Sequence, residues 1–100
     1  MGKNNIMEQK IQQIQIRASN DDLKGVYSNA MQTTHTQEEF ILDFFNIVGT
    51  GGVLSVRVVL SPGHLKRMTR VLEENMKKYE DRFGPISPAQ APTEKIGFKP

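Results

Sequence analysis

Between Glu39 and Phe83 two stretches of alternating hydrophobicity flank a glycine-rich turn and then run straight into a serine–proline step and a long amphipathic series. No other part of the chain constrains the architecture as tightly. Phe40, Leu42, Phe44 and Val48 share one side of an extended segment, and Ile41, Asp43, Phe45 and Ile47 share the other, the alternation a strand imposes. Gly49-Thr50-Gly51-Gly52 supplies positions that tolerate positive φ, as a hairpin loop requires. Beyond it Leu54, Val56, Val58 and Leu60 alternate with Val53, Ser55, Arg57 and Val59. Folding about Thr50 sets Phe44 across from Val56, Leu42 from Val58, Phe40 from Leu60 and Asp43 from Arg57. An opposite-charge pair directly across the ladder favours that register, and a one-residue slip would turn the apolar side to water.

Ser61-Pro62 opens a helix, because serine caps free amides and proline at the first helical position loses no needed donor. Leu65, Met68, Leu72, Met76, Tyr79 and Phe83 then recur at three- and four-residue steps as a narrow apolar stripe. Lys66, Arg67, Arg70, Glu73, Glu74, Lys77, Lys78 and Asp81 occupy the other side, with Glu73–Lys77 and Glu74–Lys78 at acid-first spacing. Gly84-Pro85 ends the helix.

Upstream, residues 1–10 are polar and read as a flexible N-terminus. Ile14, Ile16 and Ala18 alternate with polar neighbours and predict a first strand over 11–18. Ser19-Asn20-Asp21-Asp22 is turn chemistry, and Gly25 to His35 reads as a second, weaker strand in which Asn29 and Gln32 dilute the alternation. Thr36-Gln37-Glu38-Glu39 has the form of a capping box, read as one helical turn or a tight loop. Residues 85–100 carry four prolines and read as a flexible tail. Ile96-Gly97-Phe98 is its apolar patch, taken as incidental sequence in preference to a docking motif. The expected fold is therefore α+β: a four-stranded antiparallel β-sheet followed by one long C-terminal helix packed on one face, with 11–84 as a single domain.

Chemistry is sparse. There is no cysteine, which removes disulfides and thiolate metal sites and suits a reducing, cytoplasmic setting. No apolar run reaches the ~20 residues of a membrane span, and no signal-peptide core is visible, so no membrane association is expected. His35 and His64 are the two histidines, and neither has a partner at metal spacing; His64 reads as part of the helix start. Ser61 lacks the glycines of a nucleophile elbow. Gly49–Gly52 lacks the lysine and hydroxyl of a phosphate loop. No nucleophile, base and orienting group can be assembled, so the chain reads as a non-enzyme without a cofactor or metal. Thirteen basic against 11 acidic residues leave a net charge of +2, little long-range field for a phosphate backbone. Lys66, Arg67 and Arg70 nevertheless mark a possible nucleic-acid contact, with a solvated helix face as the plainer reading.

Val26-Tyr27-Ser28-Asn29, Glu39-Phe40-Ile41-Leu42-Asp43-Phe44, Arg57-Val58-Val59-Leu60-Ser61-Pro62, His64-Leu65-Lys66-Arg67, and Tyr79-Glu80 with Phe83-Gly84 stand in an order that resembles domain-of-unknown-function family 3467. The resemblance spans about Ile14 to Ile86. It departs at Gly49–Gly52, where a proline–glycine segment is expected, and at Gly63, where an acidic residue is usual. It implies no activity and no catalytic residues. In arrangement alone, four antiparallel strands and a long helix are also similar to the SecB export chaperone.

One expectation about partners follows from the pattern. Ile41, Phe45, Ile47, Val53 and Val59 form a second apolar sheet face, and a single helix covers only the other. That face is the predicted oligomer or partner interface, with Asp43 and Arg57 as a structural pair inside it. A homodimer or larger homo-oligomer is expected, acting as a binding or scaffold module that holds a protein partner, with a nucleic-acid accessory role as the alternative.

Overall fold

The sheet grows from the hairpin that the alternation demanded. In the computed structural model, which describes residues 13–100, β2 (Phe40–Val48) and β3 (Gly51–Leu60) pair antiparallel, and β1 (Ala30–His35) adds on the far side of β2. The result is one three-stranded sheet of order β1-β2-β3. Phe44 faces Val56, Leu42 faces Val58, Phe40 faces Leu60 and Asp43 faces Arg57, as expected. The loop is two residues long, Gly49-Thr50, with φ of +64° at Gly49 and no positive φ at Thr50. Positive φ at the first loop position alone is what a II′ hairpin asks of its glycine.

β1 and β2 are joined by the tight loop Thr36–Glu39. Thr36 Oγ1 accepts from the amides of Glu38 (3.1 Å) and Glu39 (3.3 Å), and the Thr36 amide donates to the Glu39 carbonyl (2.9 Å). The threonine thus caps a turn and not a helix. A capping box does form earlier, at Ser19: its hydroxyl accepts from the Asp22 amide and the Asp22 carboxylate accepts from the Ser19 amide, both at 3.0 Å. It starts the short helix α1 (Asn20–Lys24), where turn chemistry alone was expected.

Three expectations need correction. Among the described residues the sheet has three strands, not four. Gln13 to Ser19 form no strand, and Ile14 and Ile16 are 80% and 81% exposed. Alternation states which way side chains would point in a strand, but it supplies no neighbour to pair with, and within this chain neither sheet edge takes the segment up. Residues 1–10, and Ile11 and Gln12 of the expected strand, lie outside the described residues. The four-strand arrangement behind the likeness to SecB goes with that strand.

The helix α2 (Pro62–Phe83) is also not packed on a sheet face. It is capped as predicted, with Ser61 Oγ accepting from the His64 amide at 3.2 Å, Pro62 in the first turn and Gly84 at the end with φ +99°. None of its 22 residues is buried. Leu65 and Met68 near its start, and Glu80, are half-buried. Only Ser61, in extended conformation (φ −69°, ψ 154°), separates β3 from α2, whereas a chain that doubles back over its own sheet needs a connection of several residues. The helix therefore runs outward. The radius of gyration is 19.2 Å and the long dimension 67 Å, against about 13 Å for the gyration radius of a compact chain of this length.

Finally, the two faces of β3 exchange partway along. After Phe44↔Val56 the next pair is Phe45↔Leu54, so Ser55 is an extra, bulged residue. Leu54 lands on the Ile41–Phe45 face, while Val53 lies across from Asn46 on the opposite one. Period-two counting through Ser55 had assigned these two residues the other way round. The core is thin: among the described residues, Leu42, Phe45 and Leu60 are the buried hydrophobic side chains, with Asp43 beside them.

Candidate partner-binding surface

β2 sets out both sheet faces. On one, Met31, Phe44 and Val56 stand in line across the three strands; on the other, Ala30, Phe45 and Leu54 do. β1 is extended at its N-terminal end by one further backbone bond, from the Asn29 amide to the Phe45 carbonyl (2.9 Å), and then by side chains. The Asn29 carboxamide donates to the Ile47 carbonyl and accepts from the Ile47 amide, both at 2.8 Å, and Ser28 Oγ donates to the Phe45 carbonyl at 3.0 Å. Asn29, which seemed to dilute a strand, continues its ladder with an amide of its own. Ser55 Oγ donates to the Tyr27 carbonyl at 2.8 Å, tying the bulge to the segment leading into β1.

Asp43 and Arg57 form the central polar feature. Arg57 donates from Nε to Oδ1 (2.6 Å) and from Nη2 to Oδ2 (2.9 Å), a bidentate fork. The Asp43 side chain is 3% exposed and that of Arg57 is 50% exposed. The Arg57 hydrogen bonds hold the Asp43 carboxyl below its usual range, against the opposing effect of burial, with a further contribution from Gln32 on β1. Asp43 in turn raises Arg57. A carboxyl whose pKa is lower when folded stabilises the fold above its unfolded value, and that contribution is lost as the pH falls through the folded value. The gap in melting temperature between wild type and Asp43→Asn is therefore widest at neutral pH and closes below about pH 4. Thermal melts of both proteins from pH 7 to pH 2 test this; a gap unchanged across that range would remove the pair from the stability of the sheet.

The predicted interface residues divide. Phe45 is buried, Ile41 and Ile47 are half-buried, and Val59 is 52% exposed, all on one face. Val53 is 64% exposed on the other. Part of the cover over Phe45 comes from the segment read as a tail: the Phe98 ring lies 5.7 Å from that of Phe45, and the Arg57 guanidinium sits 5.6 Å over it. A further exposed apolar run lies on α2, where Leu72, Met76, Tyr79 and Phe83 are 54%, 49%, 51% and 64% exposed. The stripe was legible in the sequence; its lack of a cover was not.

Lys66, Arg67 and Arg70 are exposed on α2. Arg67 Nη2 lies 2.9 Å from His64 Nδ1, and Lys77 pairs with Asp81 (3.0 Å) instead of Glu73. The His35 ring is tilted against Phe40 at 5.1 Å. Among the described residues no three histidine or carboxylate groups converge as metal ligands, and no helix is long and apolar enough to cross a membrane.

No curated protein and no solved structure matches the chain. The motifs carried on β2, β3 and α2 do find a counterpart: the family model described as Protein of unknown function (DUF3467) matches residues 1–88, and the chain belongs to that family.

Proposed function

We propose that the chain is a non-enzymatic scaffold that works as a homodimer or larger homo-oligomer and holds another polypeptide. One observation carries this reading: the apolar stripe of α2 points into solvent, while among the described residues three hydrophobic side chains are buried. An exposed apolar surface of this continuity marks an interaction site.

The stripe also has the spacing of a self-pairing helix. Leu65, Leu72 and Tyr79 recur every seven residues, as do Met76 and Phe83, the repeat of a coiled-coil seam. In an antiparallel pair about a two-fold axis near Glu74, Leu72 meets Met76 of the second copy and Leu65 meets Phe83. Lys66 then flanks Glu80, an opposite-charge contact on each side of the axis. The sheet face of Ile41, Phe45, Ile47 and Val59 offers a second contact, continued by Leu54 in place of Val53. Sedimentation equilibrium at micromolar concentration tests the reading, and a strict monomer overturns it. Charged substitution at Val59 divides the two surfaces: it disrupts the assembly only where the sheet face takes part.

A second reading, a nucleic-acid accessory protein, is favoured by the exposed cluster Lys66, Arg67 and Arg70. It requires salt-dependent DNA or RNA binding that disappears when all three become alanine. Absence of binding in low salt eliminates it.

A further inference from the structure

The C-terminal segment crosses the sheet face that carries Phe45, Leu54 and Arg57, and encloses with the β2–β3 turn a cavity of about 570 Å³ lined on one wall by Phe45, Ile47 and Leu54 and on the other by Ile96 and Phe98. Its hold there is slight. Phe98 stays 56% exposed, and its contacts are with the Phe45 ring and the Arg57 guanidinium. Among the described residues, no hydrogen bond joins residues 87–100 to the sheet. The receiving side is built differently. Arg57 is fixed by both its bonds to Asp43, and so presents a positioned cation to whatever ring lies over it. The family match ends at residue 88, so the receiving face lies inside the matched region and the segment from Pro92 to Lys99 lies beyond it.

We propose that this face is a docking site for an extended peptide bearing an aromatic side chain, which stacks on Arg57 and packs against Phe45, and that the C-terminal segment is its tethered competitor. This deepens the polypeptide-holding part of the proposed function and rests on it. The chemistry of the ligand is read from its intramolecular stand-in: a branched apolar residue, a small residue and then an aromatic, as in Ile96-Gly97-Phe98. Glycine between the two lets the backbone lie close to the sheet, and the flanking Lys95 and Lys99 are exposed.

A strap tethered by a short flexible connection has an effective concentration on the order of 1 mM. For an intrinsic dissociation constant of about 0.1 mM, it leaves about one site in ten open, and a free peptide binds about tenfold more weakly than to a vacant site. The experiment uses a fluorescein-labelled peptide of the sequence 92–100 in anisotropy titrations against the full chain. Phe98→Ala in the protein is expected to tighten binding of the probe about tenfold. Loss of the phenylalanine from the probe, or Leu54→Asp added to Phe98→Ala, is expected to abolish it. Leu54 is 42% exposed, so that change leaves the buried side chains alone, and circular dichroism verifies the fold. Equal binding by wild type and Phe98→Ala, or none by either at millimolar peptide, overturns the proposal. So does a fall in assembly mass in Phe98→Ala, which assigns the segment to a neighbouring copy. Sedimentation of the same samples separates the two ideas: an intact assembly without peptide binding rejects the docking site and leaves the scaffold standing.

Discussion

Replacing Leu72 and Met76 together by aspartate is expected to dissociate the proposed assembly, raising its dissociation constant by about a thousandfold. The size follows from area. Each side chain is about half exposed in the single chain, and burying the remaining half of a Leu or Met contributes about 1 kcal/mol. Two positions on two copies then supply about 4 kcal/mol, or three decades in affinity. Four added carboxylates near the axis oppose pairing further. Analytical ultracentrifugation across a dilution series reads the constant directly, and the far-ultraviolet spectrum verifies that α2 persists. A variant that sediments like wild type at every dilution would locate the contact elsewhere, with the Val59 face next in line.

Gly52→Ala unfolds the hairpin end of the sheet and lowers stability by about 2 kcal/mol. A Cβ at that position would stand 2.5 Å from the Asn46 carbonyl oxygen and 3.0 Å from the Ile47 Cα. Both are backbone atoms of the facing strand, so no side chain can swing aside. For a domain this small the loss corresponds to a fall in melting temperature of roughly 10 °C. Gly51→Ala is the control, since nothing lies within 4 Å of a Cβ there and its φ is not positive. Equal melting temperatures for the two variants would show that β3 can move away from β2, against the close register observed.

The hairpin register, the two caps of the long helix α2 and the salt bridge were legible because each is a local or directly facing relation. Asp43 opposite Arg57 and Ser61 three residues before His64 are set by counting alone. The bulge was not, because nothing in Val53-Leu54-Ser55-Val56 breaks the count; what singles out Ser55 is its hydroxyl on the Tyr27 carbonyl, a contact 28 positions away in sequence. Asn29 misled for a related reason, since its side chain substitutes for the peptide group that a propensity argument assumes. Ile14 and Ile16 carry the pattern of a strand and lack the neighbour. The path of α2 turned on the length of one connection, a single residue, and not on its amphipathic stripe, which reads the same whether sheet, solvent or a second copy lies opposite. At the candidate site, Arg57 was recognisable as half of an ion pair; the ring stacked on it came from a proline-containing segment whose composition advertises nothing.

The bulge at Ser55 gives the tip of the hairpin a rotational setting independent of its base. Deleting that one residue would restore uninterrupted pairing with Leu54 still across from Phe45, whereas inserting a residue into β2 opposite it would turn the tip through half a revolution, carrying Phe45 and Leu54 away from Arg57 and bringing Asn46 and Val53 in. The base of the ladder, from Phe40–Leu60 to Phe44–Val56, would stay as it is. One residue gained in β2 at this point would thus redraw the rim of the groove while the pairing at the base of the sheet is retained.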